Sequence, residues 1–149
     1  MAYDYKPFSA FHVGDKVTFS RTMTEADIVN FCGVTADFNP VHIDKVYAGK
    51  TMFGQRLVPG LLVASMFGSA GAPFFGMGSI YVGHTQRFLA PVFIGDTVTA
   101  IVEVKELREQ KHIVVTHSYV VNQDGVMVVD GEQILKIIDL PQNEETRKD

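Results

Sequence analysis

The sequence predicts an α+β fold in which a curved, antiparallel β-sheet wraps around a long central helix. Three observations lead there. The second half of the chain holds four long segments rich in β-branched and aromatic residues, separated by turn-forming residues. Ahead of them, the run from Leu57 to Gly83 contains no Asp, Glu, Lys or Arg, so a helix within it belongs in an interior. Finally, 149 residues with 46% hydrophobic and 20% charged side chains are enough to give one domain, 1–149, a sizeable core.

In chain order, Lys16–Arg21 reads as a short strand. Thr24 suits a helix N-cap, with Glu25 and Asp27 in the first turn where the helix dipole favours negative charge. Ile28, Val29, Phe31 and Cys32 then recur at helical spacing. That helix ends before Asp37-Phe38-Asn39-Pro40, because Pro40 disfavours helical geometry at Asn39 and has no N–H to donate. Ile43–Ala48 reads as one more helical turn. Pro59 suits a first helical position and opens GLLVASMFGSAGAPFF, whose small residues Ala64, Ser65, Gly68 and Ala70 let a helix lie close to something flat. Pro73 or the glycines around it end this helix. The strands follow as SIYVGHTQRFL, TVTAIVEVKEL, HIVVTHSYVVN and VMVVDGEQILKII, joined by PVFIGD, REQK and QDG. Strands joined in series in this way favour antiparallel pairing. The polar tail PQNEETRKD, 141–149, reads as frayed and flexible.

A net charge of -4 offers no bulk attraction for nucleic acid. The single cysteine, Cys32, makes neither an internal disulfide nor a CxxC metal pair. The start, MAYDYKPFSAF, lacks a basic region followed by an apolar one, so a cytoplasmic protein is expected. A membrane span needs roughly 20 mostly apolar residues in one helix. The uncharged run is interrupted by Pro59, Pro73 and several glycines, which favours a helix buried in a soluble core, and no membrane partner is expected.

The stretch DFNPVH sets Asp37 and His42 five residues apart. A carboxylate beside an imidazole can move a proton near neutral pH, and Pro40 with an Asx-turn at Asn39 stiffens the loop between them. The same residues also make an ordinary turn, with Asp37 as a cap, and residue types alone favour that turn. Asp37, His42 and Asp44 are close in sequence, but zinc sites draw on three or more well-spaced His or Cys ligands. His84, His112 and His117 lie in expected strands without such spacing, so no metal is expected. At Val58-Pro59-Gly60 the free N–H groups of a helix start attract negative charge. Gly60 is either an oxyanion site or a glycine fitted against the sheet. Gly76-Met77-Gly78 lacks the third glycine, the preceding strand and the following helix of a dinucleotide turn, and there is no G-x-S-x-G.

Taken together, TADFNPVHIDKVYAGKTMFG, VPGLLVASMFG and GSIYVGHTQRFLAPVFIGDTVTAIVEV resemble the MaoC-like hot-dog family, particularly its (R)-specific enoyl-CoA hydratases, in order from about Thr24 to Ile137. The resemblance tips DFNPVH from turn to active-site loop. It implies a hot-dog fold wrapped around the Gly60–Pro73 helix, and a homodimer. It also implies that Asp37 and His42 hold and activate a water that adds to the β-carbon of a trans-2-enoyl-CoA. Asp37 is then the base, His42 orients the water, Asn39 supports the loop, and the backbone N–H of Gly60 stabilises the thioester oxygen. The reverse reaction dehydrates an (R)-3-hydroxyacyl-CoA of short or medium chain. The CoA thioester is the substrate and no cofactor is implied. Met52, Phe53, Leu57 and Met66 are apolar candidates for the acyl pocket. Two positions depart from the family pattern. Pro59 stands where the family often has histidine before the glycine, and Gly68 stands where some hydratases carry a serine, with Ser65 and Ser69 nearby. Two other readings therefore stay open: a hot-dog acyl-CoA thioesterase and a non-catalytic acyl-CoA-binding subunit.

Overall fold

Alternating covered and exposed residues in the second half build a sheet, and the uncharged run builds the helix it wraps, in the computed structural model, which describes residues 3–140. The expected frayed tail, 141–149, lies outside the described residues. The elements are β1 (Lys16–Thr22), α1 (Glu25–Thr35), α2 (Pro40–Ile43), α3 (Lys45–Ala48), α4 (Gly60–Phe75), β2 (Ser79–Phe88), β3 (Thr97–Arg108), β4 (Ile113–Val121) and β5 (Met127–Ile137).

All strand pairs are antiparallel, in the order β1-β3-β4-β5-β2. The β3, β4 and β5 strands pair in series. The β2 strand does not pair with β3; it lies against β5 at one edge, while β1 covers β3 at the other. The loop carrying the chain from β2 to β3 is anchored beside α4, where the Val58 N–H donates to the Val92 carbonyl at 2.8 Å.

Because side chains alternate across a strand, one face of the sheet collects Val98, Ala100, Val102, Val104, Val114, Val120, Leu135 and Ile137, all buried. Against them α4 packs Val63, Met66, Phe67, Ala70 and Phe75. Each fully buried side chain of this size contributes about 1.5–3 kcal/mol, so this contact dominates the stability. The small residues of α4 divide between its faces. Ala64 and Ala70 are covered, whereas Ser65 and Gly68 are exposed.

Several boundaries differ from the sequence reading. Pro59 is the N-cap of α4, one residue before its first helical position. Of the two expected ends of α4, a nearby glycine and not Pro73 is the one found. Pro73 sits in the last turn, where one lost hydrogen bond costs little, and Gly76 closes the helix with φ 71°. A Cβ on Gly76 would lie 2.0 Å from the Asp4 carbonyl oxygen, so the close approach of the N-terminal segment requires glycine. The expected turn at 43–48 is two short helices, because the Asp44 carboxylate interrupts the chain to cap α3, accepting from Val46 and Tyr47 N–H at 2.8 and 2.9 Å. His112 lies outside β4. The preceding residues form a 3-10 turn that leaves it left-handed (φ 48°), its ring stacked on Phe8 at 4.8 Å.

Thr24 and Asp27 form a capping box at the start of α1. The Asp27 carboxylate accepts from the Thr24 hydroxyl at 2.7 Å and the Thr24 N–H at 2.9 Å, and it also meets Arg21. These contacts, the Thr24 hydroxyl first, hold the Asp27 carboxyl below its ordinary value. A carboxyl whose folded value is lowered contributes stability above its unfolded value, and that contribution is lost as pH falls through the folded one. Asp27→Asn should therefore cost about 1 kcal/mol at pH 7. The gap to the parent should begin to narrow below roughly pH 4, where the carboxyl of the unfolded chain takes up its proton first, and close as pH falls through the lowered folded value. Thermal unfolding of both proteins at pH 7 and pH 3 checks this.

Candidate active site

Helix α1 ends at Ala36, which adopts the left-handed conformation (φ 58°, ψ 21°), an uncommon one for a residue with a Cβ. The chain turns there and presents Asp37. The Asp37 N–H donates to Thr35 Oγ1 at 3.3 Å, and the Thr35 hydroxyl is in turn fixed to the Phe31 carbonyl at 2.8 Å. Asp37 Oδ1 accepts from the Asn39 N–H at 3.3 Å, and Asn39 Oδ1 accepts from the Val41 N–H at 3.2 Å as the N-cap of α2. Pro40 is the first residue of α2, and α1 has already ended at Ala36, ahead of it. Asn39 thus couples the Asp37 carboxylate to the helix that carries His42.

His42 Nδ1 lies 2.9 Å from the Leu57 carbonyl oxygen. A carbonyl only accepts, so Nδ1 carries the proton, and in the neutral ring Nε2 keeps its lone pair. Nε2 faces Asp37 Oδ2 at 4.0 Å, too far for a direct hydrogen bond. The imidazole is 12% exposed and the carboxylate 43%, so solvent or substrate reaches the pair from the Asp37 side. The segment supplying the Leu57 carbonyl is held at two points. The Leu57 N–H donates back to the Val41 carbonyl at 3.0 Å, and Arg56 makes a paired contact with Glu25 at the start of α1, with one bond of 2.9 Å.

Gly60 is the first residue of α4, so its N–H has no acceptor within the helix and lies at the positive end of the helix dipole. A Cβ built on Gly60 would meet the Phe88 ring at 2.8 Å and 2.9 Å. Gly60 is thus a glycine fitted against β2, and it also lines the cavity that holds Asp37 and His42.

A cavity of about 440 Å³ brings Asp37, His42 and Gly60 together, walled chiefly by Phe53, Leu57, Val63, Phe88, Val92 and Val129. That size suits a small-molecule site. Of the four apolar pocket candidates, Phe53 and Leu57 line it. Met52 is 93% exposed, and Met66 is buried at 3% because its face of α4 points at the sheet. Phe88 and Val129 were missed in the sequence because they meet only through pairing across β2 and β5.

Several polar groups outside this cavity are already paired. A larger cleft of about 710 Å³ on the outer face of the sheet is lined by charges that neutralise one another, with His117–Asp130 at 2.8 Å and Arg87–Asp130 and Lys105–Glu132 each at 2.7 Å. Asp44, once grouped with Asp37 and His42, is used as a helix cap. Cys32 is buried, and burial followed by the nearby Asp37 charge pushes its thiol up, away from thiolate chemistry.

The family model described as MaoC like domain matches residues 9–124. The chain is 40% identical over 129 residues to the (R)-specific enoyl-CoA hydratase of Aeromonas caviae, covering 86% of this chain and 96% of that protein. It is 34% identical over 142 residues to the 3-hydroxybutyryl-CoA dehydratase of Methylorubrum extorquens, covering 93% and 86%. Among solved structures, the (R)-hydratase from A. caviae involved in PHA biosynthesis superposes with a TM-score of 0.83 at 39% identity, over 87% of this chain and 98% of that one. The unliganded R-hydratase of Pseudomonas aeruginosa gives 0.79 at 34% identity, over 92% of each chain. The shared architecture is the hot-dog fold.

The fit of Phe88 onto Gly60 gives a local test. Gly60→Ala should destabilise by about 1–3 kcal/mol, because the ring must leave its place. Adding Phe88→Leu should recover part of that loss. Urea unfolding of both single variants and the double variant measures the coupling.

Proposed function

This chain belongs to the MaoC-like domain family, and we propose that it works as an (R)-specific enoyl-CoA hydratase, adding water reversibly to a trans-2-enoyl-CoA. The observation that carries the mechanism is the 4.0 Å separation of His42 Nε2 and Asp37 Oδ2 at a cavity that also holds Gly60. Both atoms are acceptors, and a water between them donates one hydrogen to each. That fixes its remaining lone pair toward the cavity and removes an orientational barrier.

Attack of the water oxygen on the β-carbon forms the C–O bond, while the π electrons move toward the thioester carbonyl. Asp37 takes the proton released by the water, and His42 orients the oxygen. Asp37 then gives that proton to the α-carbon, so one water is consumed and the dyad ends in its starting state. Negative charge collects meanwhile on the thioester oxygen, where the Gly60 N–H can contribute on the order of 3 kcal/mol. Pro59 carries no imidazole to assist, but its ring locks φ near -53°, one of the two torsions that aim the Gly60 N–H. Asp37, His42 and Gly60 carry the addition without a cofactor, and the CoA thioester is substrate. In reverse, the same groups dehydrate an (R)-3-hydroxyacyl-CoA.

We assign a homodimer to the free edge of β2. Ile80 and Val82 are about half exposed there, and an uncovered apolar edge strand pairs readily with another.

Crotonyl-CoA should lose its conjugated absorbance with the pure protein. Asp37→Asn should lower kcat by about a hundredfold or more while the fold is kept. A free-thiol assay on saturated acyl-CoA separates hydration from thioester cleavage. Failure to hydrate any enoyl-CoA would overturn the assignment. For the edge, Val82→Lys should shift the species seen by light scattering from dimer to monomer.

A further inference from the structure

Ahead of α4, three consecutive residues are each tied to a different part of the molecule. Arg56 reaches α1, where its guanidinium meets both oxygens of Glu25, one bond at 2.9 Å. Leu57 holds α2 twice, donating its N–H to the Val41 carbonyl at 3.0 Å and offering its own carbonyl to His42 Nδ1 at 2.9 Å. Val58 joins the β2–β3 loop through the Val92 carbonyl at 2.8 Å, and Leu57 pairs with Phe93 of that loop as an isolated antiparallel bridge. Just before them the turns are closed locally, as by the Gly54 N–H on the Thr51 carbonyl at 3.1 Å, and Gly54 and Gln55 are exposed. Arg56 is therefore where a surface turn passes into the segment that backs His42.

These ties close a ring. Glu25 is the first residue of α1, and Asp37 follows the far end of that helix at Ala36. From Glu25 to Thr35 the helix rises about 15 Å at 1.5 Å per residue. One rigid element thus carries both the anchor of Arg56 and the Asp37 carboxylate. From Arg56 the ring passes through the Leu57 carbonyl to the His42 imidazole, and its last side is the 4.0 Å gap between Nε2 and Asp37 Oδ2. Any shift of the Leu57 carbonyl relative to α1 appears in that gap. A two-pronged guanidinium–carboxylate pair resists such a shift in more than one direction, because both N–H groups must stay aligned with the carboxylate. The Arg56 hydrogen bond also holds the Glu25 carboxyl below its ordinary value, so the pair stays charged at neutral pH. The Glu25 side chain is 54% exposed and that of Arg56 21%, so the pair adds little to overall stability. What it supplies is direction.

We propose that Glu25 and Arg56 are positioning residues for hydration, acting on His42 through the Leu57 carbonyl. Held in place, that carbonyl keeps the proton on Nδ1 and leaves Nε2 an acceptor. With the carbonyl displaced, the Nε2–H form of the ring becomes accessible, and the water between Nε2 and Oδ2 meets a donor where it needs an acceptor. Neither Glu25 nor Arg56 lines the cavity, so thioester binding is left as it was. The proposal rests on the hydratase reading of Asp37 and His42.

The test begins with steady-state hydration of crotonyl-CoA. Arg56→Met should lower kcat about tenfold, with KM within about twofold of the parent. Glu25→Gln should act in the same direction and less, because the amide oxygen still accepts one guanidinium hydrogen. The double variant should be no worse than Arg56→Met, since the two residues act as one unit. Arg56→Lys, which keeps the charge and loses the fork, should recover only part of kcat. Tm should hardly move in any of them. Nitrogen-15 spectra of the histidines at about pH 8.5, where an ordinary imidazole is neutral, read the tautomer, with His42→Gln assigning the His42 signals. The parent should show the Nδ1–H form alone, and Arg56→Met a mixture with the Nε2–H form. An unchanged kcat in Arg56→Met overturns the proposal, as does a change confined to KM, which marks a thioester contact. A tautomer identical to the parent's in Arg56→Met, whatever its Tm, overturns it too, and so do losses that add in the double variant. If the parent does not hydrate crotonyl-CoA, the hydratase reading fails, and the nitrogen-15 comparison alone decides whether the pair sets the His42 ring.

Discussion

Burial of α4 against the inner face of the sheet is the constraint on which the rest of the molecule depends. The helix has no charged residue to hold it at the surface, so Val63, Met66, Phe67, Ala70 and Phe75 go under the strands. Once they are there, the N-terminus of the helix is fixed relative to the β2–β3 loop and to β2. The positive end of the helix dipole therefore opens at one defined point, Gly60, beside the loop that carries Asp37 and His42. The same packing turns Ser65 and Gly68 outward, which leaves a groove along the side of the helix.

A second layer of constraint is local and polar. The Leu57 carbonyl fixes the His42 tautomer, and backbone and side-chain bonds from Asn39 fix one oxygen of Asp37 and the helix behind His42. Each bond is modest, on the order of 1 kcal/mol net. Their effect is geometric: they leave two acceptors facing each other across a gap that neither can close. The left-handed Ala36 is where the chain stores strain to achieve this.

Much of this was legible in the sequence. The cap at Thr24, the acidic first turn of α1, the end of that helix before Asp37, the buried uncharged helix and the four long strands all rest on local chemistry, and the structure places each within a residue or two of the expected bounds. DFNPVH was ambiguous read alone, since its turn chemistry and its acid–base chemistry use the same atoms; the structure shows the turn and sets Asp37 and His42 together at the cavity. Long-range pairing was not legible. Nothing in the local pattern sends β2 to the far edge beside β5, and so nothing announces that Phe88 rests on Gly60 or that Val129 walls the cavity. Met66 was misplaced for a related reason, because helical periodicity gives a buried face without saying whether core or cavity lies beyond it.

The gap between Asp37 and His42 also bears on which nucleophiles the site accepts. With the imidazole neutral, Oδ2 and Nε2 each accept a hydrogen from whatever stands between them. Water supplies two. An alcohol of similar reach supplies one and leaves an acceptor unpaired, a penalty of about 1–3 kcal/mol. The preference for water over other hydroxyl compounds is then set by the number of hydrogens on the attacking oxygen, and a small primary amine, with two, is the kind of competitor this geometry discriminates against least.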